Sequence, residues 1–227
     1  MSFAASAVIF DFDGTLVDSA SIKREAFFEL SGDSPRASEL LERLLSEDPP
    51  LDRYAIARQI ANDLNVSDDV KNVAEDMAER YSEMCRHRVG AAPEIGGASE
   101  MLSALRTRGI PLFVSSATPE LELLKIVSRR SWARAFQGIY GAPEKKLDHI
   151  DRIYKHVGGE KKEILFIGDS EQDASAATAF GCRFAAVGPD CEKLSGAQFR
   201  GASLSELAAK LFGHPPFLSP LIRPAHV

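Results

Sequence analysis

AVIFDFDGTLVDS, residues 7–19, sets four apolar residues directly before two acids, Asp11 and Asp13, and then a glycine. The apolar run reads as a short buried strand, and Gly14 is the residue that tolerates the backbone angles of a sharp exit. Carboxylates are costly to hold where such a strand ends, so a compensating partner is expected. Residues two apart on an extended chain point to the same side. Asp11 and Asp13 are therefore expected to face one centre while Phe10 and Phe12 face away.

Outward from this stretch the rhythm changes twice. From Ser19 to Arg88 the chain is helical and charged: Ile22, Ala26, Phe27 and Leu30 share helical spacing, as do Leu40, Leu41, Leu44 and Leu45. Breaks fall at SGDSP (31–35) and EDPP (47–50), a further helix is predicted over 51–64, and another follows Ser67 as N-cap. From GAAPEIGG (90–97) helix and strand alternate, with helices predicted over 98–108, 119–130, 147–157 and 173–180. The strands between them are IPLFVSS (110–116), the weak GIYG (138–141), the strong EILFIG (163–168) and CRFAAVG (182–188).

Apolar strands separated by helices predict an α/β fold, a Rossmann-like parallel sheet covered by helices on both faces. The core comprises 1–17 and 92–227, and 18–91 form an inserted all-α domain. The tail from His214 carries four prolines in fourteen residues and is expected to be an extended surface segment.

A formal charge of −6 over 227 residues argues against a nucleic-acid or anionic-membrane binder, and no apolar run approaches membrane-spanning length. Cys85, Cys182 and Cys191 form neither a disulfide framework nor a metal-binding pattern, and the N-terminus lacks a secretory leader, so a cytoplasmic protein is expected.

In an open parallel sheet, ligands bind beyond the carboxyl ends of the strands. Polar groups of one kind collect there: Asp11 and Asp13 after the first strand, Ser115, Ser116 and Thr118 at the second, and Asp169, Ser170 and Asp173 after EILFIG. Brought together, Asp11, Asp13 and Asp169 would repel one another by several kcal/mol at an effective dielectric constant of about 20, so a cation is required. Oxygen donors with room for water and phosphate suit Mg²⁺ rather than zinc.

These residues resemble the haloacid dehalogenase superfamily of phosphohydrolases. DFDGTLVDS is close to that family's DxDGT(L/V)xDS motif, LFVSSATP resembles its second motif, Lys145-Lys146 falls where its motif lysine stands, and GDSEQD (168–173) looks like its GDxxxD motif. The resemblance covers nearly the whole chain and most resembles the branch holding phosphoglycolate phosphatase and β-phosphoglucomutase, with a helical cap.

It implies that Asp11 attacks the phosphorus of a phosphate monoester and that Asp13 serves as general acid and base. It further implies Mg²⁺ held by Asp11, Asp13 (through its backbone carbonyl) and Asp169, with Asp173 ordering the metal's water shell. Phosphate binding falls to Gly14, Thr15, Ser116, Ala117 and Lys146. Ser116 is preferred to Ser115 because Ser-Ala-Thr-Pro fits the Ser-x-Thr-Pro variant, and Lys146 is preferred to Lys145 on spacing from Pro143 and Ile150. The insert would be the cap, hinged near 17–19 and 90–97.

The implied partner is a small phosphorylated metabolite, the implied state a monomer or homodimer. Among alternatives, a true dehalogenase needs neither Asp13 nor Asp169. A phosphonate hydrolase would need a lysine of the insert, Lys23 or Lys71, as Schiff base. A phosphosugar mutase shares all four motifs and would need insert groups such as Arg80, Arg86, His87 and Arg88. A non-catalytic binding protein on the same fold would be expected to have lost the acids present here.

Overall fold

A computed structural model describes residues 3–32, 35–46, 51–63 and 69–213. The chain divides into two compact units, one from the described residues of Met1–Asp18 and Pro93–Val227, the other from those of Ser19–Ala92.

The first unit begins with β1, Ala7–Phe10, every residue of which is buried. The second consists, among its described residues, of four helices: α1 (Ala20–Ser31), α2 (Pro35–Leu45), α3 (Arg53–Asp63) and α4 (Val70–Ala91). Pro35 opens α2, where its missing N–H costs nothing. Asp69 caps α4 by accepting the Asn72 N–H at 3.4 Å. Ser67, the cap expected from sequence, lies outside the described residues. The apolar stripes close on one another: Leu40, Leu41 and Leu44 pack with Ile56, Ile60, Ala61 and Ala78, and Phe27 stacks on Tyr81 at 3.9 Å between ring centroids. Burial of these stripes, rather than helix propensity, supplies most of a small bundle's stability.

The first unit continues through α5 (Ala98–Thr107), β2 (Leu112–Pro119), α6 (Glu120–Val127), β3 (Gly138–Ala142), α7 (Lys146–Val157), β4 (Ile164–Gly168), α8 (Glu171–Phe180), β5 (Arg183–Val187), β6 (Phe199–Gly201) and α9 (Leu204–Phe212). Among the described residues the six strands are all parallel, in the order β3-β2-β1-β4-β5-β6. β1 and β4 are buried along their whole lengths, the composition a strand needs when helices cover both faces.

The order places the site. β1 is central, and the chain leaves it for β2 on one side and returns to β4 on the other, the kind of reversal that opens a crevice at the carboxyl edge. Phe10 lies level with Val114 and Ile167, so Asp11, Ser115 and Gly168 follow at one height. Where the chain leaves this unit and re-enters it, the two segments pair: Asp18 donates to the Pro93 carbonyl at 2.9 Å and Ile95 to the Leu16 carbonyl at 3.0 Å. Glu94 anchors the re-entry by accepting Trp132 Nε1–H at 2.7 Å and the Ser99 hydroxyl at 2.6 Å.

β6 and α9 were not among the elements predicted from sequence. β6 has three residues and carries Arg200 at its centre, whose guanidinium donates to the Cys191, Leu194 and Ala197 carbonyls, so no apolar alternation betrays it. α9 did carry a signal: Ser203 caps it, accepting the Glu206 N–H at 3.3 Å, a Ser-x-x-Glu start followed by an apolar stripe. The proline-rich tail, 214–227, lies outside the described residues. Among the described residues no helix is long and apolar enough to cross a membrane.

Candidate active site

Asp11 leaves β1 with its N–H donated to the Ile167 carbonyl at 2.9 Å, which ties its backbone to β4. The residue is 5% exposed, and its Oδ1 lies 3.0 Å from the ammonium of Lys146, the first residue of α7. The same ammonium reaches Asp173 Oδ1 at 2.6 Å. Asp173 sits in the first turn of α8, wholly buried, and its Oδ2 accepts the Ser170 N–H at 3.2 Å and the Ser170 hydroxyl at 2.5 Å. Gly168 makes this possible, because any Cβ there would overlap the Asp173 carboxyl.

Asp13 occupies a different environment. Its Oδ2 accepts the Thr118 hydroxyl at 2.9 Å and a long contact from the Ser116 hydroxyl at 3.4 Å, while the Thr118 N–H donates to Ser116 Oγ at 3.0 Å. The β2 end that carries Ser116 and Thr118 thus holds Asp13, and α7 holds Asp11. Ser115 turns the other way, fully buried, with its hydroxyl 2.9 Å from His149 Nδ1. Ala117 is exposed between Ser116 and Thr118, and Lys145 precedes α7 as its N-cap.

Thr15 donates its hydroxyl to Asp169 Oδ1 at 2.9 Å, and Gly14, at φ +78°, lies against the same carboxylate. A side chain at Gly14 would be strained twice, by the left-handed backbone and by overlap with Asp169. Gly14→Ala is expected to lose about 1–2 kcal/mol of stability from backbone conformation alone, with more from the clash, read by urea unfolding. A variant as stable as the parent would mean that this turn relaxes freely.

Oxygen atoms of Asp11, Asp169 and Asp173 lie within 4.8 Å of one another. Three carboxylates face a single ammonium, and the electrostatics record the excess. Burial pushes the Asp11 carboxyl well above the ordinary carboxylate range; Lys146 opposes this, while Asp173, Asp169 and Asp13 add to it. Asp169 is pushed up to about 6, chiefly by burial and by Asp173, against the pull of the Thr15 hydroxyl. Burial alone would lower the Lys146 pKa, but Asp11 and Asp173 outweigh it and keep the ammonium charged. Carboxylate oxygens carrying excess negative charge form a donor set that fits a hard divalent cation. Asp173 is the least available of the three, since both its oxygens already accept hydrogen bonds from Lys146 and Ser170.

The structure therefore brings Asp11, Asp169, Asp173, Thr15 and Lys146 together, and joins Asp13 to Ser116. Thr118 and Ser170 were visible in sequence only as polar residues after strands; their partners depend on the fold. His149 gave no signal beyond a polar residue on an otherwise amphipathic helix.

Residues 8–187 match the family model described as haloacid dehalogenase-like hydrolase. The chain belongs to that family. This hydrolase is 28% identical over 190 residues to phosphoglycolate phosphatase of Pseudomonas fluorescens, covering 79% of the chain and 68% of that relative. Its fold is similar to β-phosphoglucomutase from Clostridium difficile (TM-score 0.67, 19% identity, covering 89% of this chain and 93% of that one). It is also similar to YfnB from Bacillus subtilis, solved bound to magnesium (TM-score 0.71, 14% identity, 93% and 99% covered). At these identities the two solved structures speak for the fold.

Proposed function

We propose that this hydrolase is a Mg²⁺-dependent phosphatase that cleaves a small phosphate monoester through an aspartyl-phosphate on Asp11. The observation that carries the reading is the separation of the two motif acids: Asp11 rests on an ammonium, Asp13 on two hydroxyls. One carboxylate is thereby kept beside a positive charge suited to an attacking nucleophile, and the other is held by groups that tolerate either protonation state.

Asp11 attacks phosphorus, forming the acyl-phosphate bond as the bond to the departing alkoxide breaks, and Asp13 gives that oxygen its proton. Asp13 then takes a proton from water, which attacks the same phosphorus and releases inorganic phosphate with Asp11 restored. Lys146 neutralises charge on Asp11 and on the phosphoryl oxygens, and Ser116 with the exposed Ala117 backbone binds those oxygens. Asp11, Asp169 and the Asp13 carbonyl would hold Mg²⁺, with Asp173 supporting its water shell. When bound, the ion screens the repulsion between the attacking carboxylate and the anionic ester. The helical unit would serve as a cap that excludes water at the wrong step.

Relatives named phosphoglycolate phosphatase make a small phosphorylated carboxylic acid the first substrate to test. The mutase alternative is less favoured: of the basic groups it would use, Arg88 pairs with Glu29 at 2.6 Å and Arg80 with Asp76 at 3.8 Å. The test is Mg²⁺-dependent release of inorganic phosphate from phosphoglycolate, sugar phosphates, nucleotides and p-nitrophenyl phosphate. Turnover of none of them would overturn the reading.

Mg²⁺ affinity is expected to fall as pH drops through about 6, because proton and cation compete for Asp169. Calorimetric titration should show a loss of roughly tenfold or more between about pH 7.5 and about pH 5. A flat profile would remove Asp169 from the ligand set.

A further inference from the structure

His149 lies three residues beyond Lys146 on α7 and is fully buried. Its Nδ1 is 2.9 Å from the Ser115 hydroxyl, itself fully buried, and its ring stacks on Tyr140 of β3 at 5.7 Å between centroids and an interplanar angle of 29°. Its Nε2 makes no hydrogen bond of good geometry among the described residues: the Gly141 backbone acts on the ring only weakly, and Glu144 Oε2 stands 4.0 Å away, beyond hydrogen-bonding reach. Glu144 is turned instead toward Arg152, whose guanidinium lies over the Tyr140 ring at 5.4 Å.

By residue type, Ser115, His149 and Glu144 look like a hydrolytic triad. The burial of Ser115 excludes that role, since a serine with no exposed surface cannot reach a substrate. The cluster also makes little sense as packing. Burial pushes the imidazole pKa below its ordinary value, against the opposing pull of Glu144 and the Gly141 backbone, and one ring nitrogen is left poorly satisfied. A leucine opposite an alanine would fill the same space with no polar group to desolvate. A polar pair kept at this cost is best explained by what it joins.

We propose that His149 is a positioning residue that fastens the first turn of α7 to the carboxyl end of β2. It thereby fixes the Lys146 ammonium relative to the Ser116 hydroxyl. The proposal rests on the phosphatase reading above. Ser115 immediately precedes Ser116, and Lys146 stands one helical turn before His149, so one buried hydrogen bond sets the spacing of two groups separated by thirty positions in the chain. The Tyr140 stack and the Asp148 carboxylate, which accepts the Lys145 N–H at 3.3 Å, are further contacts of the same turn. Misplacement of a cation that acts on developing charge costs rate more than binding.

The test compares the wild type with the double variant Ser115→Ala/His149→Leu, with Ser115→Ala, and with His149→Asn, whose amide can occupy the Nδ1 position. The double variant leaves no orphaned polar partner and is expected to melt at or above the wild-type temperature. Its kcat for p-nitrophenyl phosphate should fall about tenfold or more while KM changes less than about threefold. His149→Asn is expected to recover most of the lost kcat, and Ser115→Ala to lose it without unfolding. Unchanged kcat in a folded double variant, or loss in His149→Asn equal to that of the double variant, would overturn the proposal. If the double variant failed to fold, the two single variants would decide it. A wild type inactive on every ester would instead refute the phosphatase reading.

Discussion

Asp11→Asn is expected to abolish turnover of p-nitrophenyl phosphate, with kcat reduced by about four orders of magnitude or more, because a neutral amide cannot form the acyl phosphate. Loss of function should come without loss of fold. Asn matches Asp in shape, and the carboxylate it replaces is one that burial, Asp173, Asp169 and Asp13 all disfavour in its charged form. Only the Lys146 contact at 3.0 Å is weakened, and Lys146 keeps Asp173 at 2.6 Å. The metal-free variant should therefore unfold within about 1 kcal/mol of the wild type, or above it. Steady-state kinetics with Mg²⁺ and a thermal melt check both halves. Residual activity of more than about one per cent would rule out Asp11 as the nucleophile.

Lys146→Met should produce the largest combined loss. Met fills much of the same volume, so the deficit isolates the charge. Without the ammonium, Asp11 and Asp173 remain buried with no cation, a situation that costs about 3–5 kcal/mol when one partner of a buried pair is removed. The sign of the pH dependence follows from the raised carboxyl of Asp11. A group whose pKa is higher folded than unfolded contributes stability below its unfolded pKa and loses that contribution as pH rises through the folded value. Removing Lys146 takes away the one influence that lowers the Asp11 pKa at short range, so the deficit should be small in acid and grow toward neutrality. Added Mg²⁺ should recover part of it by supplying charge to the same carboxylates. Melting curves across pH, with and without Mg²⁺, provide the measurement. A deficit independent of both pH and Mg²⁺ would mean that Lys146 matters through packing. Turnover should fall about a hundredfold or more even where the variant is folded.

Much of the first unit could be read from residue order because its strands are buried on both faces, and such strands are written as uninterrupted apolar runs. AVIF and ILFIG announce themselves in this way, and each is followed by acids that a buried strand end would not otherwise keep. The helical unit was equally legible, since Leu40, Leu41 and Leu44 repeat with the period that buries them. β6 escaped because three residues centred on an arginine carry no periodicity. α9 escaped although the pair Ser203 and Glu206 marked its start.

The sequence by itself determined the class of fold, the helical character of the stretch after β1, and the presence of carboxylates just after β1 and β4. These depend on local composition and on period, which neighbours in the chain supply. The motif resemblance preferred Ser116 to Ser115 and Lys146 to Lys145, but only the tertiary structure decided that Ser116 meets Asp13 while Ser115 is sealed against His149, and that Lys146 lies between Asp11 and Asp173. Those choices depend on side-chain direction across neighbouring strands and on the register of α7 against β2. The Thr118–Asp13 hydrogen bond spans 105 positions and the Thr15–Asp169 bond 154, so both rest on sheet order rather than on any local pattern. Local patterns specify what each element must bury; the order of the strands decides which polar groups meet beyond their ends.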